Sequence, residues 1–541
     1  PPTEFYGQPV YGGTLRINYE DPLEHANVWG AAGDGGGADR LRKPSMNNLL
    51  RLDPYRPTVE WMPDLAYGWT VHDDAQGTTY YLRDGVKWHN GADFTCEDAR
   101  FTFETIITSN NITTAYLGAL FTNVEAGSPT CLDDRTLEFR FSAPTALPLQ
   151  YVNDDDALIF NKQWFLAGGE DAMFQDISVG TGPFIWSAGQ SVGRNEQHFE
   201  KNPDYFIEGL PYVDEWVLFG ILDESAQQAA MLAHQTDWHW VRNWGQYEAY
   251  VNHDQIMTVI GPTRGAFAYF MNPRKPPFDN VRVRQAIVMG IDREAAVKVL
   301  QQGRASLGFL FPPGSAWELD QEQGCTVPGW CQPEDMEAQR AEARQILEEE
   351  GFDFNKTYVL TVESDAQVVE RAVFLQEQLR LLGVNVEFDT VESVAYRDQQ
   401  ANGTWGDFMA ANSGAGGFDD PGQALGVYLR CDSSRAYFFF PGVECDQTME
   451  DLLDQVDSTL DQTKRKMLSD EAQLRAMENY WKMPLYWEQE AQAFWPEVRG
   501  YVFQMSASGH WRQFSHVWID PAHKDDAGFS GQTTGVPGGI Q

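Results

Sequence analysis

At 541 residues, with 42% hydrophobic and 13% aromatic side chains, the chain has material for more than one core and excludes a disordered polymer. The 79 Asp and Glu outnumber the 39 Lys and Arg, leaving a formal charge of -40 that excludes nucleic acid and disfavours anionic lipid as partners. No stretch of about 18 apolar residues occurs, so no transmembrane helix is expected.

The acids are spread along the whole chain, which reads as a solvated surface rather than a lure for cationic ligands. Residues Pro1 to Tyr6 are not a charged segment followed by an apolar one, so a secretory signal is expected to be absent or already removed. The six cysteines fall into local pairs, Cys96 with Cys131, Cys325 with Cys331 and Cys431 with Cys445. An even count in loop-like settings points to disulfides and an oxidising, extracytoplasmic compartment, the alternative being six free thiols in the cytosol.

In chain order, Tyr11 to Asn18 reads as a turn and a strand with Leu15 and Ile17 on one face. The Gly-rich run from Gly30 to Asp39 lacks the spacing of a nucleotide-binding loop and reads as mobile. Trp69 to His72 and Thr78 to Arg83 flank turn residues and predict a hairpin. A helix is expected from Thr95 as N-cap, with Glu97 and Asp98 in its first turn. Thr136 to Phe141 alternates as a strand, Gly180 to Phe184 is a sharp turn, and Val213 to Phe219 is another strand. Helices are expected at 225–234, capped by Asp223 or Ser225, at 279–291 as a basic amphipathic segment, and at 333–351 ending on Gly351. The strand Tyr358–Val362, the helix Ala366–Leu382 ending on Gly383 and the strand Val384–Phe388 make a βαβ unit. Residues 448–480 read as helical, and the tail after Pro521 as loose.

Several runs in order resemble one family. They are Gly13-Thr-Leu15, Leu49 to Pro54, Pro63-Asp-Leu-Ala66, Tyr80 to Gly91, Phe94 to Phe103, Gly180-Thr-Gly-Pro-Phe184, Asn202-Pro-Asp-Tyr205 and Pro277 to Ile287. Together they resemble the extracytoplasmic solute-binding proteins of ABC importers, in the oligopeptide/dipeptide/nickel-binding class (family 5). The resemblance implies an α/β, two-lobed periplasmic-binding-protein fold (class II, cluster C type) with an additional β-rich domain. Lobe I is then expected at 1–48, 180–268 and 490–541, the extra domain at 49–179 and lobe II at 269–489. Hinge strands are expected near Ala266 to Asn272 and Pro484 to Glu490. The implied partners are an ABC permease and a small solute, peptide or oligosaccharide. The protein is expected to be a monomer without cofactor or metal, periplasmic or extracellular, with or without anchoring by a lipidated N-terminus that precedes this chain.

Closure-type sites use aromatic walls for apolar contact and a few polar groups for orientation. The candidate wall residues are Trp29, Trp238, Trp240, Trp244, Trp405 and Tyr437, each equally a candidate for core packing. Tyr437 to Phe440 reads as a buried strand or as such a wall. In a strand, Trp238 and Trp240 would share a face. Arg264 is a candidate partner for a carboxylate. The stretch Asn412 to Pro421 resembles the family's segment before an Asp-Pro turn, where peptide binders carry a Trp and an Asp that pairs with the peptide ammonium. Here Gly414 and Gly417 stand at those places, with Ser413, Phe418 and Asp419 beside them. This departure favours a bulkier or differently shaped ligand, oligosaccharides included. A hydrolase is the competing reading, but no Gly-x-Ser-x-Gly, His-Glu-x-x-His or Ser-x-x-Lys motif is placed to act. The ten His show no metal-ligand spacing, since His234 and His239 are not at i, i+4.

Overall fold

The computed structural model describes residues 7–19, 42–53, 61–108, 121, 123–146, 149, 151–153, 157–175, 179–192, 195–241, 243–414, 420–431, 433, 435–503, 513–528 and 530–532. The Gly-rich run 30–39 lies outside them. The chain divides into two units, Pro1–Gly261 with Glu490–Gln541, and Pro262–Gln489. It passes from one to the other within the strands Met257–Met271 and Met483–Phe494.

In the first unit the strand Thr14–Tyr19 runs parallel to Glu215–Gly220 on one side and to Trp238–Val241 on the other. Alternation buries Leu15 and Ile17 completely, beside Trp216, Leu218 and Trp238. The strands Glu196–Lys201 and Phe184–Trp186 continue the sheet in antiparallel order. Asp223 caps the helix Glu224–Leu232, its carboxylate accepting from the Ala226 amide. The described part of the tail carries regular structure. Pro521–His523 forms a short 3-10 turn, and Ser530–Gln532 pairs in parallel with Thr258–Ile260.

Within this unit, described residues between Ala66 and Arg140 form a separate four-stranded sheet, with a hydrophobic cluster that also takes in Met46 and Val179. Ala66–Val71 and Gly77–Leu82 form the expected hairpin, and Thr136–Arg140 and Thr130–Asp133 complete four strands. The helix Cys96–Thr108 packs Phe103 and Ile106 into that core. Its start is fixed because Asp98 Oδ2 accepts from both the amide (2.9 Å) and the hydroxyl (3.0 Å) of Thr95. The Gly180-Thr-Gly182 turn passes against the Pro44–Ser45 backbone. A Cβ on Gly180 would meet Ser45 O at 1.7 Å, and one on Gly182 would meet Ser45 C at 2.4 Å, so both positions need glycine.

In the second unit the strand Thr357–Glu363 is parallel to both Asn385–Val391 and Phe408–Asn412, and the latter pairs antiparallel with Phe267–Met271. The helix Ala366–Leu382 closes on Gly383, whose φ of 94° suits a residue without Cβ. The basic helix is shorter than its pattern, Val281–Met289, and Arg284 points inward. It donates to the carbonyls of Phe278, Asp279 and Asn479, and burial pushes its pKa down to about 10. The 448–480 segment is two helices, Gln447–Ser458 and Gln462–Glu478, because Asp461 recaps the chain after an extended Thr459. Tyr437 to Phe440 is buried but is not a strand; the four rings fill the core as an irregular segment.

All six cysteines pair locally, Cys96–Cys131, Cys325–Cys331 and Cys431–Cys445, and no free cysteine occurs. Among the described residues no helix is long and apolar enough to cross a membrane.

Candidate functional site

The second unit has a topological switch point. From Glu363 the chain leaves through the helix Ala366–Leu382 to a strand on one side, whereas Phe408–Asn412 lies on the other side and leads to the helix Pro421–Leu429. In α/β sheets the point beyond the carboxyl ends of two strands whose connections part in this way is the usual ligand position, which makes it the candidate site here. The pairing of Val362 with Ala410 keeps those ends level. The segments at the rim are Glu363 to Asp365 and Asn412 to Gly414.

Charged groups of both signs gather at this rim. Arg371, on the helix that begins at Ala366, donates from Nη1 to Asn412 Oδ1 at 2.8 Å. The same nitrogen lies 2.7 Å from Glu488 Oε1, and the guanidinium sits over the Phe267 ring at 5.5 Å. Both side chains keep some exposure, 14% for Arg371 and 23% for Glu488. Glycine at 265 gives Glu488 its room, because a Cβ there would come within 2.8 Å of Oε2. Ser413 anchors the strand end through its amide to the Ala266 carbonyl at 2.6 Å, while its buried hydroxyl has no hydrogen-bond partner.

Behind the rim, Lys482 Nζ donates to the Gly414 carbonyl at 2.9 Å and lies 3.6 Å from the centre of the Tyr428 ring. Burial pushes its pKa down to about 7. Asp420 and Pro421 start the next helix. The Asp420 carboxylate accepts from the Gly422 and Gln423 amides, and it meets Arg465 at 2.6 Å in a fully buried ion pair. Arg465 also donates to the Val456 carbonyl, which ties this helix start to the helix Gln447–Ser458.

Of the residues singled out from sequence, Ser413 lies at this switch point. Trp405 is fully buried against Phe440, and Tyr437 packs on Phe270 and Tyr428, so both serve the core of the second unit. Trp238 is equally buried in the first unit, among Tyr501 and Phe514. Trp240 is half-buried beside Tyr19, and Trp244 is half-buried against Tyr247 at the start of the helix Trp244–Val251. Trp29, Gly417, Phe418 and Asp419 lie outside the described residues, as does the side chain of Arg264. Sequence reasoning missed Arg371, Lys482 and Glu488. One signal was available for Lys482, a lone charge inside the apolar run Trp481 to Trp487.

Residues 60–435 match the family described as bacterial extracellular solute-binding proteins, family 5, middle. Among curated relatives, the dipeptide-binding protein of Escherichia coli strain K12 is 26% identical over 491 residues, covering 85% of this chain and 86% of the relative. Among solved structures, the ABC transporter-associated periplasmic binding protein DppA of Helicobacter pylori, in complex with the peptide STSA, superposes with a TM-score of 0.79 at 21% identity, covering 94% of this chain and 98% of that one. The periplasmic binding protein AgaA of A. tumefaciens R10, in complex with agropinic acid, reaches the same TM-score at 20% identity, covering 95% and 100%. These likenesses establish the two-lobed periplasmic-binding-protein fold.

Proposed function

The chain belongs to the bacterial extracellular solute-binding proteins of family 5, a family of non-enzymatic binding proteins that work in the periplasm or outside the cell, and from that premise we propose that its solute is a short peptide or peptide-like molecule. It captures this ligand by closure about the strands Met257–Met271 and Met483–Phe494 and delivers it to an ABC permease as a monomer. The ligand shifts the open–closed equilibrium by its greater affinity for the closed state. The observation that carries the peptide reading is the Arg371–Glu488 pair at the switch point, a partner of each sign for a molecule with a carboxylate and an ammonium. The curated relatives named for dipeptide and di/tripeptide binding support it.

A second reading keeps the transport role with a non-peptide ligand, an oligosaccharide or other small solute. The equal likeness to a protein held in complex with agropinic acid favours it. Native mass spectrometry of the purified protein, then thermal-shift titration with di- to pentapeptides and with α- and β-linked oligosaccharides, separates the two. A concentration-dependent rise in melting temperature with peptides is expected, since a ligand that binds only the folded state stabilises it by mass action. Stabilisation by sugars with no response to peptides overturns the peptide reading.

A further inference from the structure

In the first unit, three side chains that are remote in sequence meet where the helix Glu224–Leu232 turns into the strand Trp238–Val241. His234 Nε2 lies 2.7 Å from Glu497 Oε1 and 3.7 Å from Asp237 Oδ1. One donor atom from each of the three residues falls within 4.8 Å of the others. Ligands at about 2.0–2.2 Å from a tetrahedral divalent ion stand a little over 3 Å apart, a value between the two distances from His234.

Two further features point to a ligand. Glu497 has 8% of its side chain exposed, yet its Oε2 has no hydrogen-bond partner, a costly state for a buried carboxylate oxygen. His234 Nε2 is also without a hydrogen bond: it is close to Glu497 but not aligned with it. The ring is held in place by stacking on Trp495, with centroids 4.0 Å apart and planes at 16°; its outer edge is partly exposed while Nε2 is buried. Arg16 holds both oxygens of Asp237, Nε to Oδ2 at 3.0 Å and Nη2 to Oδ1, the oxygen that also faces His234, at 2.7 Å. Outer hydrogen bonds of this kind orient ligating carboxylates, while the guanidinium charge moderates the affinity for a cation.

We propose that His234, Asp237 and Glu497 form a binding site for a divalent transition-metal ion, with one imidazole nitrogen and two carboxylate oxygens as protein ligands and solvent completing the shell. This donor set suits zinc and its neighbours better than calcium or magnesium, which take oxygen alone. Metal there would pin the turn at 233–237 to the segment after the strand Met483–Phe494.

The test is calorimetric titration of the full chain, freed of metal by chelator and dialysis, with zinc chloride alone. One equivalent is expected to bind to the wild type, with a rise in melting temperature. His234→Ala should weaken binding at least tenfold, and Glu497→Gln, which keeps the side-chain shape, should weaken it as well. The control His198→Ala, which removes an imidazole held between Glu196 and Glu215, should leave it unchanged. Cobalt substitution should give visible absorption that disappears in His234→Ala. Absence of binding by the wild type, or equal binding by the wild type, His234→Ala and Glu497→Gln, overturns the proposal.

Discussion

Lys482 brings an ammonium into the interior with the Gly414 carbonyl and the Tyr428 ring as its described partners. Its pKa falls from 10.5 to about 7 on folding, so between those values the unfolded chain holds the extra proton. Stability therefore rises with pH across this window, and the full penalty applies below it. At ~1.4 kcal/mol per pKa unit the penalty at pH 6 is on the order of 5 kcal/mol. Lys482→Met should be more stable than the wild type at pH 6 and lose that advantage towards pH 10, as read from urea melts at both ends; a constant difference would show that the lysine does not titrate in this range. Arg371 tests the ligand instead. A hydrogen bond to a charged group is worth ~1.5–3 kcal/mol, so Arg371→Met should weaken a peptide ligand by roughly 10- to 100-fold. Calorimetry beside a thermal melt of the free variant checks this, since a purely structural role would lower the melting temperature and spare the affinity.

At the scale of single elements, the ends are set by short-range chemistry. Asp223, Asn243, Asn280, Asp292, Asp365, Asp420 and Asp461 each cap a helix by accepting from a first-turn amide. Asp420 does more than the others, because the same carboxylate holds the buried Arg465. Asp420→Ala would leave that cation unpaired, and breaking such a pair costs ~3–5 kcal/mol, well above the ~1 kcal/mol of an ordinary cap. A melt of Asp420→Ala beside Asp365→Ala, an exposed cap, separates the two contributions. Gly182→Ala is expected to lose ~1–3 kcal/mol, because the added methyl meets the Ser45 backbone rather than a side chain that can move. A change within a few tenths would mean that the turn relaxes freely.

At the scale of the whole molecule, the chain crosses between its units twice, in Met257–Met271 and Met483–Phe494. If ligand capture works by closure about those strands, saturating peptide should reduce the radius of gyration seen by small-angle X-ray scattering. An unchanged radius with bound peptide would rule out large-scale closure. The three disulfides each lie within one unit, so they stiffen the parts without linking them. Cys96–Cys131 joins residues 35 apart, and its removal by a double change to alanine should cost ~2–4 kcal/mol in the first unit, measured by denaturant melts. If the ligand is held at the switch point of the second unit, its affinity should survive that change.

The sequence by itself determined the features whose physics is local. The period-two pattern of Leu15 and Ile17, the Thr95 cap, the Ala366–Leu382 helix with Gly383 behind it, and the three cysteine pairs are all set by residues a few tens of positions away at most. The family motifs were legible for the same reason: each is a contiguous run. Tertiary structure decided which aromatic residues are core. Trp238 and Trp405 look the same in sequence as Trp240 and Trp244, but the first two have no exposed surface and the others are half-buried, an outcome set by what packs over each ring, Tyr501 and Phe514 over Trp238 and Phe440 over Trp405. It also decided the charge constellations. Arg371 reaches Asn412 and Glu488, and His234 reaches Glu497, across chain separations that no spacing rule spans. The tail showed the same effect, because Ser530–Gln532 is polar and Gly-containing yet pairs as a strand with Thr258–Ile260. Local propensity fixes the elements, whereas long-range packing fixes which of their side chains are left to do chemistry.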